Sequence, residues 1–218
     1  MWIMCSETNS NFHKILSSTK AVWDNLTLQK AHDLVAPEVA WTSKRIEATL
    51  ESLLSDIALN PHMRVLELGC GLGRLLKPLA QKYACSFCGI DLSQDILAYA
   101  KDSLEGLENV FLKQNDGVTI PFEDESFDFC FSVCVFQHIG LREVQKKYVR
   151  EAYRVLKPGG VFKLQHLKGD GREYLNGYNG YTPRDLEDLK ELLSPFINIS
   201  ITPENIRGSL WYWNTCIK

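Results

Sequence analysis

The 218-residue sequence contains no long hydrophobic run and carries little net charge. None of its apolar stretches approaches the roughly 20 residues that a membrane-spanning helix needs, and its opening residues lack the pattern of a secretory signal. The 24 basic and 27 acidic residues give a net charge of −3, which provides no overall positive field for nucleic acid. We therefore expect a cytoplasmic protein without a membrane span and without a nucleic-acid partner.

The cysteines give no sign of a disulfide framework. Their number, seven, is odd, and no export signal accompanies them. Cys85 and Cys88 form one C-x-x-C pair, but the pair lies in a strand-like stretch and no second pair completes a zinc site. We expect buried, reduced thiols and no metal, in preference to a redox-active or metal-binding pair.

The N-terminal quarter of the chain has a helical pattern. Residues 12–59 show apolar side chains at spacings of three and four, which predicts helices with one buried face. Asn60 and Pro61 then interrupt the pattern. We interpret residues 1–60 as an N-terminal helical cap and residues 61–218 as the main, ligand-binding domain. The apolar side chains that recur at this helical spacing are Ile46, Leu50, Leu53 and Ile57.

Beyond residue 60, strand-like and helix-like runs alternate, which predicts parallel strands joined by right-handed crossovers. The predicted strands are 64–68, 86–90, 110–113, 127–135, 161–167, 196–201 and 209–217. The predicted helices are 74–83, 93–104, 142–156 and one that Thr182 and Pro183 open. No helix separates the last two strands, so we expect them to pair antiparallel at one edge. The expected fold is an α/β, doubly wound, seven-stranded sheet.

The stretch VLELGCGLGRLL places three glycines directly after the first predicted strand. In an open parallel sheet, ligands bind at the carboxyl ends of the strands, and glycines there let the backbone bend and touch a ligand. A dinucleotide-binding turn has the spacing G-x-G-x-x-G. Here the third glycine, Gly73, comes one residue early and Arg74 stands in its place. This spacing argues against a nicotinamide-dependent oxidoreductase.

The motif E-x-G-x-G-x-G, which begins at Glu67, resembles the first motif of the class I S-adenosylmethionine-dependent methyltransferases. Further stretches follow in that family's order: GIDLS with Asp91, QNDG with Asp116, PFEDESFDFCFSVCVFQHI, and EAYRVLKPGGVF. The resemblance covers roughly residues 64–167 and, more loosely, the C-terminal strands. The motif sequences are similar to those of bacterial small-molecule methyltransferases, including those that act on quinone precursors. The implied fold is Rossmann-like, and residues 61–218 would form the methyltransferase domain.

The resemblance implies S-adenosylmethionine as the cofactor, S-adenosylhomocysteine as the product, and no metal. Asp91 would accept the ribose hydroxyls, and Glu67 would lie near the ammonium group of the methionine part. Asp116 would accept a hydrogen bond from the adenine amine, or it would only shape a turn. The predicted cofactor-binding residues are Glu67, Gly69, Cys70, Gly71, Arg74, Asp91, Leu92, Asn115, Asp116, Gly117 and Val133.

The acceptor side of the site is predicted from the residues that follow the fourth strand. His138 is the candidate catalytic base, although a hydrogen-bonded structural histidine explains it equally well. The loop 168–182 carries three tyrosines and would form either a lid or an ordinary surface loop. The predicted substrate-binding residues are Phe136, Gln137, His138, His166 and Tyr178.

The expected activity is methyl transfer, by in-line displacement, to a nitrogen, oxygen or carbon of a small-molecule acceptor. The alternatives are a non-catalytic S-adenosylmethionine-binding protein and a protein or nucleic-acid methyltransferase. Methyltransferases that act on nucleobase amines carry an N-P-P-Y type motif where this chain has SVCV. An aminopropyl transferase would be expected to carry extra carboxylates near Gln137 and His138. The sequence predicts no oligomeric state.

Overall fold

One sheet of seven strands runs through the part of the chain that the computed structural model describes, namely residues 14, 16–24, 41–174, 179–206 and 208–218. The strand order is β3-β2-β1-β4-β5-β7-β6. The first five strands pair in parallel, and β7 lies antiparallel between β5 and β6. The predicted α/β, mostly parallel sheet with an antiparallel C-terminal strand is confirmed. The strands are β1 Arg64–Leu68, β2 Ser86–Asp91, β3 Val110–Gln114, β4 Phe127–Ser132, β5 Leu156–Leu167, β6 Ile197–Ile206 and β7 Ser209–Ile217.

Helices connect β1 to β2, β2 to β3 and β4 to β5, and residues 115–126 join β3 to β4 without a helix. Within the described residues the helices are α1 Ser43–Leu54, α2 Leu76–Lys82, α3 Gln94–Ser103, α4 Arg142–Val155 and α5 Leu186–Leu192, with a 3₁₀ turn at Phe136–His138. A separate helical stretch, residues 16–23, is called the N-terminal helical segment below. The predicted helical cap therefore contains two described helical stretches. Residues 1–13 and 25–40, also part of that prediction, lie outside the described residues.

Two helices begin later in the chain than predicted. Helix α2 begins at Leu76 instead of residue 74, so Pro78 lies in its first turn, where no backbone N–H is needed. Helix α5 begins at Leu186, and Asp185 caps it by accepting the backbone N–H of Asp188 at 2.9 Å. Thr182 and Pro183, the predicted opening, lie upstream of that cap.

Strands β4 and β5 also depart from their predicted bounds. Strand β4 ends at Ser132, three residues early, because Cys134 adopts a left-handed conformation (φ 58°) that ends the extended chain. Strand β5 begins at Leu156, which pairs with Phe127, and pairing resumes only at Val161. Residues 157–160, which precede the strand predicted at 161–167, therefore form a bulge within β5.

Helix α1 packs on one face of the sheet and shares its core. Leu53 is fully buried in a cluster with Val65 of β1, Leu79 of α2 and Phe131 of β4. Of the described cysteines, Cys134 is half-buried, and the buried free thiols are Cys70, Cys85, Cys88, Cys130 and Cys216. No helix in the described ranges is long and apolar enough to cross a membrane.

Candidate active site

A cavity opens at the carboxyl ends of β1, β2 and β4, below the N-terminal helical segment. Its walls are largely apolar, with a few polar groups on the sheet side. Asp116 is the only predicted cofactor-binding residue that lies outside the lining. The predicted residues that line the cavity are Glu67, Gly69, Cys70, Gly71, Arg74, Asp91, Leu92, Asn115, Gly117 and Val133.

The glycine turn after β1 forms part of the cavity floor. Gly69 has φ 69°, and a Cβ atom added there would lie 2.5 Å from Cγ2 of Val135. Gly71 has φ 53°, and a Cβ atom there would meet no atom within 4 Å. Left-handed backbone favours glycine at both positions. The turn therefore needs its glycines for conformation, and at Gly71 it leaves open space beside the backbone.

Asp91 lies at the end of β2 and is held by two backbone donors. The N–H of Gly71 donates to one carboxylate oxygen at 2.9 Å, and the N–H of Ser93 donates to the other at 3.0 Å. Burial raises the pKa of Asp91 above its usual range. Each carboxylate oxygen offers about two acceptor positions, so Asp91 keeps capacity for further donors from the cavity.

Glu67 is the least satisfied charged group of the site. It is 3% exposed at the end of β1, and no described residue hydrogen-bonds its Oε2. Burial, and secondarily the charge of Asp91, raises the pKa of Glu67 well above its usual range. A buried carboxylate without a partner is costly. This site therefore favours a cationic ligand group at the turn.

Asn115 and Asp116, which follow β3, differ in orientation. Asn115 is buried and lines the cavity, where its amide contacts the hydroxyl of Tyr148. Asp116 is exposed, and its Oδ1 accepts the N–H groups of Val118 and Thr119 at 2.9 and 2.6 Å. Asp116 thus shapes the turn before Gly117, which was the alternative interpretation of this residue.

Two tryptophans cover the cavity from the N-terminal side. Trp23, in the N-terminal helical segment, packs edge-on against His138, with ring centroids 5.3 Å apart. Trp41, just before α1, lies between two guanidinium groups, those of Arg45 at 4.8 Å and Arg74 at 5.8 Å from its ring. His138, Trp23 and Trp41 all line the cavity. An acceptor bound beside His138 would therefore meet aromatic walls.

Three predicted substrate-binding residues lie outside the cavity lining. Phe136 is fully buried in the core, because the 3₁₀ turn points it between Tyr148 and Phe162. His166 is 1% exposed behind Phe136, with ring centroids 5.0 Å apart. Gln137 contacts the His138 ring at 3.5 Å but does not line the cavity. These placements correct the prediction for Phe136, Gln137 and His166.

The predicted tyrosine lid is only partly described. Tyr178 lies outside the described residues. Tyr181 is 2% exposed. Its hydroxyl accepts a hydrogen bond from Arg142 and donates one to Asp188. Its backbone N–H donates to Ile139 at 2.9 Å. Tyr181 therefore anchors the end of the loop and is no part of a mobile lid.

The chain matches the methyltransferase domain family over residues 66–164. It is 26% identical to the phosphoethanolamine N-methyltransferase of Plasmodium falciparum over 197 residues, which cover 87% of this chain and 72% of that protein. It is 33% identical to the cyclopropane-fatty-acyl-phospholipid synthase of Escherichia coli over 132 residues, covering 60% of this chain but 32% of that protein. Together with the motifs, these matches support a class I S-adenosylmethionine-dependent methyltransferase.

Solved methyltransferase structures share the fold. Phosphoethanolamine N-methyltransferase 2 of Haemonchus contortus, solved in complex with S-adenosylmethionine, aligns with a TM-score of 0.67 at 19% identity. The alignment covers 86% of this methyltransferase and 56% of the Haemonchus chain. At this identity the likeness establishes the Rossmann-like fold, and the chemistry of the site depends on this chain's own residues.

The residues of this methyltransferase fit S-adenosylmethionine. Among the described residues, Oε2 of the buried Glu67 carboxylate and Oδ1 of Asn115 have no hydrogen-bond partner. Asp91 supplies acceptors for hydroxyl groups, and the turn at Gly71 leaves room beside the backbone. The site thus offers acceptors of the kind that the ammonium, hydroxyl and amino groups of an adenosine-containing amino acid require.

Several cavity residues are not among the predicted site residues. Tyr148 and Val144 come from α4, and Val135 and Ile139 flank the 3₁₀ turn. Helical spacing in the sequence shows that Val144 and Tyr148 share a face, but not that this face meets a cavity. Only the sheet order, with β4 beside β1, brings α4 to the carboxyl end of β3.

Proposed function

We propose that this methyltransferase transfers a methyl group from S-adenosylmethionine to a small-molecule acceptor by direct in-line displacement. The observation that carries the proposal is the buried carboxylate of Glu67 beside Asp91 at the glycine turn, whose Oε2 accepts no hydrogen bond from any described residue. A nicotinamide dinucleotide offers no ammonium for Glu67. An S-adenosylmethionine site needs both an ammonium acceptor and a ribose acceptor, and these two residues supply them.

Cofactor binding is assigned to the cavity residues that the sequence predicted. Asp91, already fixed by Gly71 and Ser93, would accept ribose hydroxyls. Glu67 would accept the ammonium group, and Leu92 and Gly117 would cover the base. Arg74 is placed at the same cavity and would pair with the carboxylate. Bound S-adenosylmethionine supplies a sulfonium methyl group, which is a good electrophile with a neutral leaving group.

The acceptor is assigned to the space beside His138. Holding two reactants in the right position can lower an activation barrier by roughly 7–11 kcal/mol. The aromatic walls at Trp23 and Trp41 would therefore act mainly by orienting the acceptor. His138 would remove a proton from a hydroxyl acceptor. The relatives differ in what their names say they act on, a phosphoethanolamine nitrogen and a fatty-acyl phospholipid. The acceptor class is therefore proposed only as a small molecule.

The first test of the proposal uses Glu67→Gln, which keeps the side-chain shape and removes the charge. We expect the variant to bind S-adenosylmethionine more weakly by about 1–3 kcal/mol, because a buried charged hydrogen bond is lost. Binding of 5′-methylthioadenosine, which lacks the amino acid part, should not change. Isothermal titration calorimetry of the full chain measures both affinities.

The control is Glu123→Gln, which alters an exposed carboxylate away from the cavity. Its affinity for both ligands should match that of the wild type. The proposal would be overturned if the wild-type chain gave no heat with S-adenosylmethionine but bound NAD. Equal weakening of both ligands by Glu67→Gln would remove the ammonium role of Glu67. Incubation with labelled S-adenosylmethionine and a metabolite extract, followed by mass spectrometry, then separates an enzyme acting on small molecules from a non-catalytic binding protein.

A further inference from the structure

Gln145, the fourth residue of helix α4, is fully buried and binds three backbone carbonyl groups at once. Its amide nitrogen donates to the carbonyl oxygens of Phe136 at 2.7 Å, Ile139 at 3.1 Å and Tyr181 at 2.7 Å. A carbonyl oxygen only accepts hydrogen bonds, so the amide group that faces all three must be the NH₂ group. One side chain therefore joins helix α4, the 3₁₀ turn and the end of the loop 168–182.

Two of these three carbonyls belong to the segment that carries His138. The 3₁₀ turn runs from Phe136 to His138, and Ile139 follows it. His138 lines the cavity, whereas Gln145 does not. Because Gln145 holds the backbone on both sides of His138, its amide fixes where the His138 ring lies relative to the cavity.

The end of the loop 168–182 packs directly on the same turn. Gly180 is buried, and a Cβ atom added there would lie 2.4 Å from the carbonyl carbon of Gln137 and 2.6 Å from the backbone nitrogen of Ile139. The backbone N–H of Tyr181 donates to the carbonyl of Ile139 at 2.9 Å. A displacement of this end of the loop would therefore displace the turn.

We propose that Gln145 is a positioning residue for the acceptor side of the site, and that it fixes His138 by tying the 3₁₀ turn to helix α4 and to the end of the loop. The inference rests on the proposed function, in which the acceptor binds beside His138. In-line transfer requires the acceptor in a narrow range of positions. Loosening the turn should therefore slow methyl transfer without weakening the cofactor site at the ends of β1 and β2.

The first experiment follows the His138 ring by NMR of the full chain with isotope-labelled histidine, and His138→Gln assigns the signal. The Trp23 ring lies edge-on to His138, with ring centroids 5.3 Å apart, so its ring current makes the signal sensitive to movement of the turn. Gln145→Met keeps an unbranched side chain of similar length and removes the donors, so it should shift or broaden the signal. Gly180→Ala, whose methyl group must push the turn away, should shift the same signal.

The matched control is Val155→Ala, a substitution in the core at the other end of the same helix. Val155 is fully buried and lies about 15 Å along the helix axis from Gln145. The variant should lower the free energy of unfolding in urea without moving the His138 signal. Calorimetry with S-adenosylhomocysteine should give wild-type affinity for Gln145→Met, Gly180→Ala and Val155→Ala.

The second experiment measures methyl transfer from labelled S-adenosylmethionine to compounds of a metabolite extract, with mass spectrometry of the products. Gln145→Met should form product about 10- to 100-fold more slowly than the wild type, because a small misplacement of a reactant has an effect of this size. Val155→Ala should form product at the wild-type rate.

The outcomes separate this inference from the proposed function. If the wild type binds no S-adenosylhomocysteine, the proposed function fails whatever the His138 signal does. If the cofactor binds, an unchanged His138 signal or a wild-type rate in Gln145→Met overturns the inference, as does an equal change of the signal in Val155→Ala. An unchanged signal in Gly180→Ala contradicts the link to the loop. If Gln145→Met does not fold, Gln145→Asn, which keeps the amide on a shorter side chain, takes its place with the same expected shift.

Discussion

Buried polar side chains without a partner occur both at the cavity and away from it. Glu67 lines the cavity, where a ligand can supply the missing donor. His166 is equally buried, but neither ring nitrogen has a partner among the described residues and it does not line the cavity. The same lack of a partner therefore has two physical meanings. At Glu67 it points to a ligand, and at His166 it is a cost to the fold.

His166 should make the stability of the protein depend on pH. Burial lowers the pKa of His166 from 6.5 to about 3. Between pH 6.5 and about pH 3, His166 binds a proton in the unfolded chain but not in the folded chain. This protonation stabilises the unfolded chain, so the loss of folding stability is absent above pH 6.5 and grows as the pH falls. The free energy of unfolding should lose about 1 kcal/mol per pH unit from this group. His166→Leu should remove that loss, which urea denaturation at pH 7, 6 and 5 measures.

The comparison with a second histidine isolates the effect. His62→Leu alters an exposed ring and should leave the pH dependence as it is in the wild type. Other acids titrate in the same range, so the informative quantity is the difference between wild type and His166→Leu at each pH. A constant difference from pH 7 to pH 5 would show that His166 titrates normally in the folded protein.

The motifs predicted which residues lie close together. They did not predict which of these side chains point into the cavity. Glu67 and Asp91 end strands, and parallel strands end at one edge of the sheet, so their meeting follows from the α/β pattern. Phe136 and His138 are two residues apart, and the sequence gives no signal for a 3₁₀ turn that buries one and exposes the other to the cavity. Asn115 and Asp116 are likewise neighbours in the sequence. Only the course of the backbone after β3 decides that Asn115 lines the cavity and Asp116 does not.

At the scale of elements, the start of β5 was predicted wrongly because it depends on tertiary contacts. The bulge in β5 forms where the N–H of Gly159 donates to Lys218 and the N–H of Lys218 donates to Gly160, a pairing with the chain end that no local pattern predicts. By contrast, the start of the helix predicted at 93–104 agrees with the structure, where the Ser93 side chain caps α3 by accepting the N–H of Ile96. A cap needs only residues nearby in the sequence, so it can be predicted from them.

Helix α1 is attached to the sheet by an ion pair between a buried lysine and an exposed aspartate. The Lys163 side chain is 2% exposed on β5, and its ammonium group contacts Asp56, just after α1, and the Ser55 hydroxyl at 3.1 Å. Thr215 of β7 donates to the other oxygen of Asp56 at 2.8 Å. The ammonium also lies 5.7 Å from the centre of the Trp213 ring. The pair thus fixes the end of α1 opposite to Trp41.

We expect the two partners of this ion pair to differ in their effect on stability. Asp56→Ala leaves a buried ammonium group without its counter-charge and should lower the free energy of unfolding by at least about 1–3 kcal/mol. Lys163→Met removes the charge and keeps an unbranched apolar chain against Trp213, so it should cost less. Urea denaturation measures both variants.

The double variant and a surface control complete this test. Asp56→Ala combined with Lys163→Met should be close in stability to Lys163→Met alone, because no buried charge remains. Glu51→Ala removes an exposed acid from the same helix and should change the free energy of unfolding little. If Lys163→Met proved more destabilising than Asp56→Ala, the ammonium group would be satisfied without Asp56.

At the scale of the whole molecule, helix α1 and the main domain share one core. Leu53 of α1 packs with residues of β1, α2, β4 and β7 in a single apolar cluster. A unit that buries its apolar face only against another unit cannot unfold alone without exposing that face. The sequence-based division at residue 60 therefore marks a change of pattern, and we propose that α1 is not an independent folding unit.

Hydrogen exchange tests this cooperativity. The amides of α1 around Leu50 and Leu53 should exchange only through global unfolding, with the same free energy as the amides of β1. S-adenosylhomocysteine at 100 times its dissociation constant should raise both values by about 2.7 kcal/mol, because it binds only the folded chain. The exposed turn at Gly208 should exchange rapidly with or without the ligand and serves as the control. Earlier exchange of α1 than of β1, unaffected by the ligand, would show instead that the cap opens as a separate unit while the sheet remains folded.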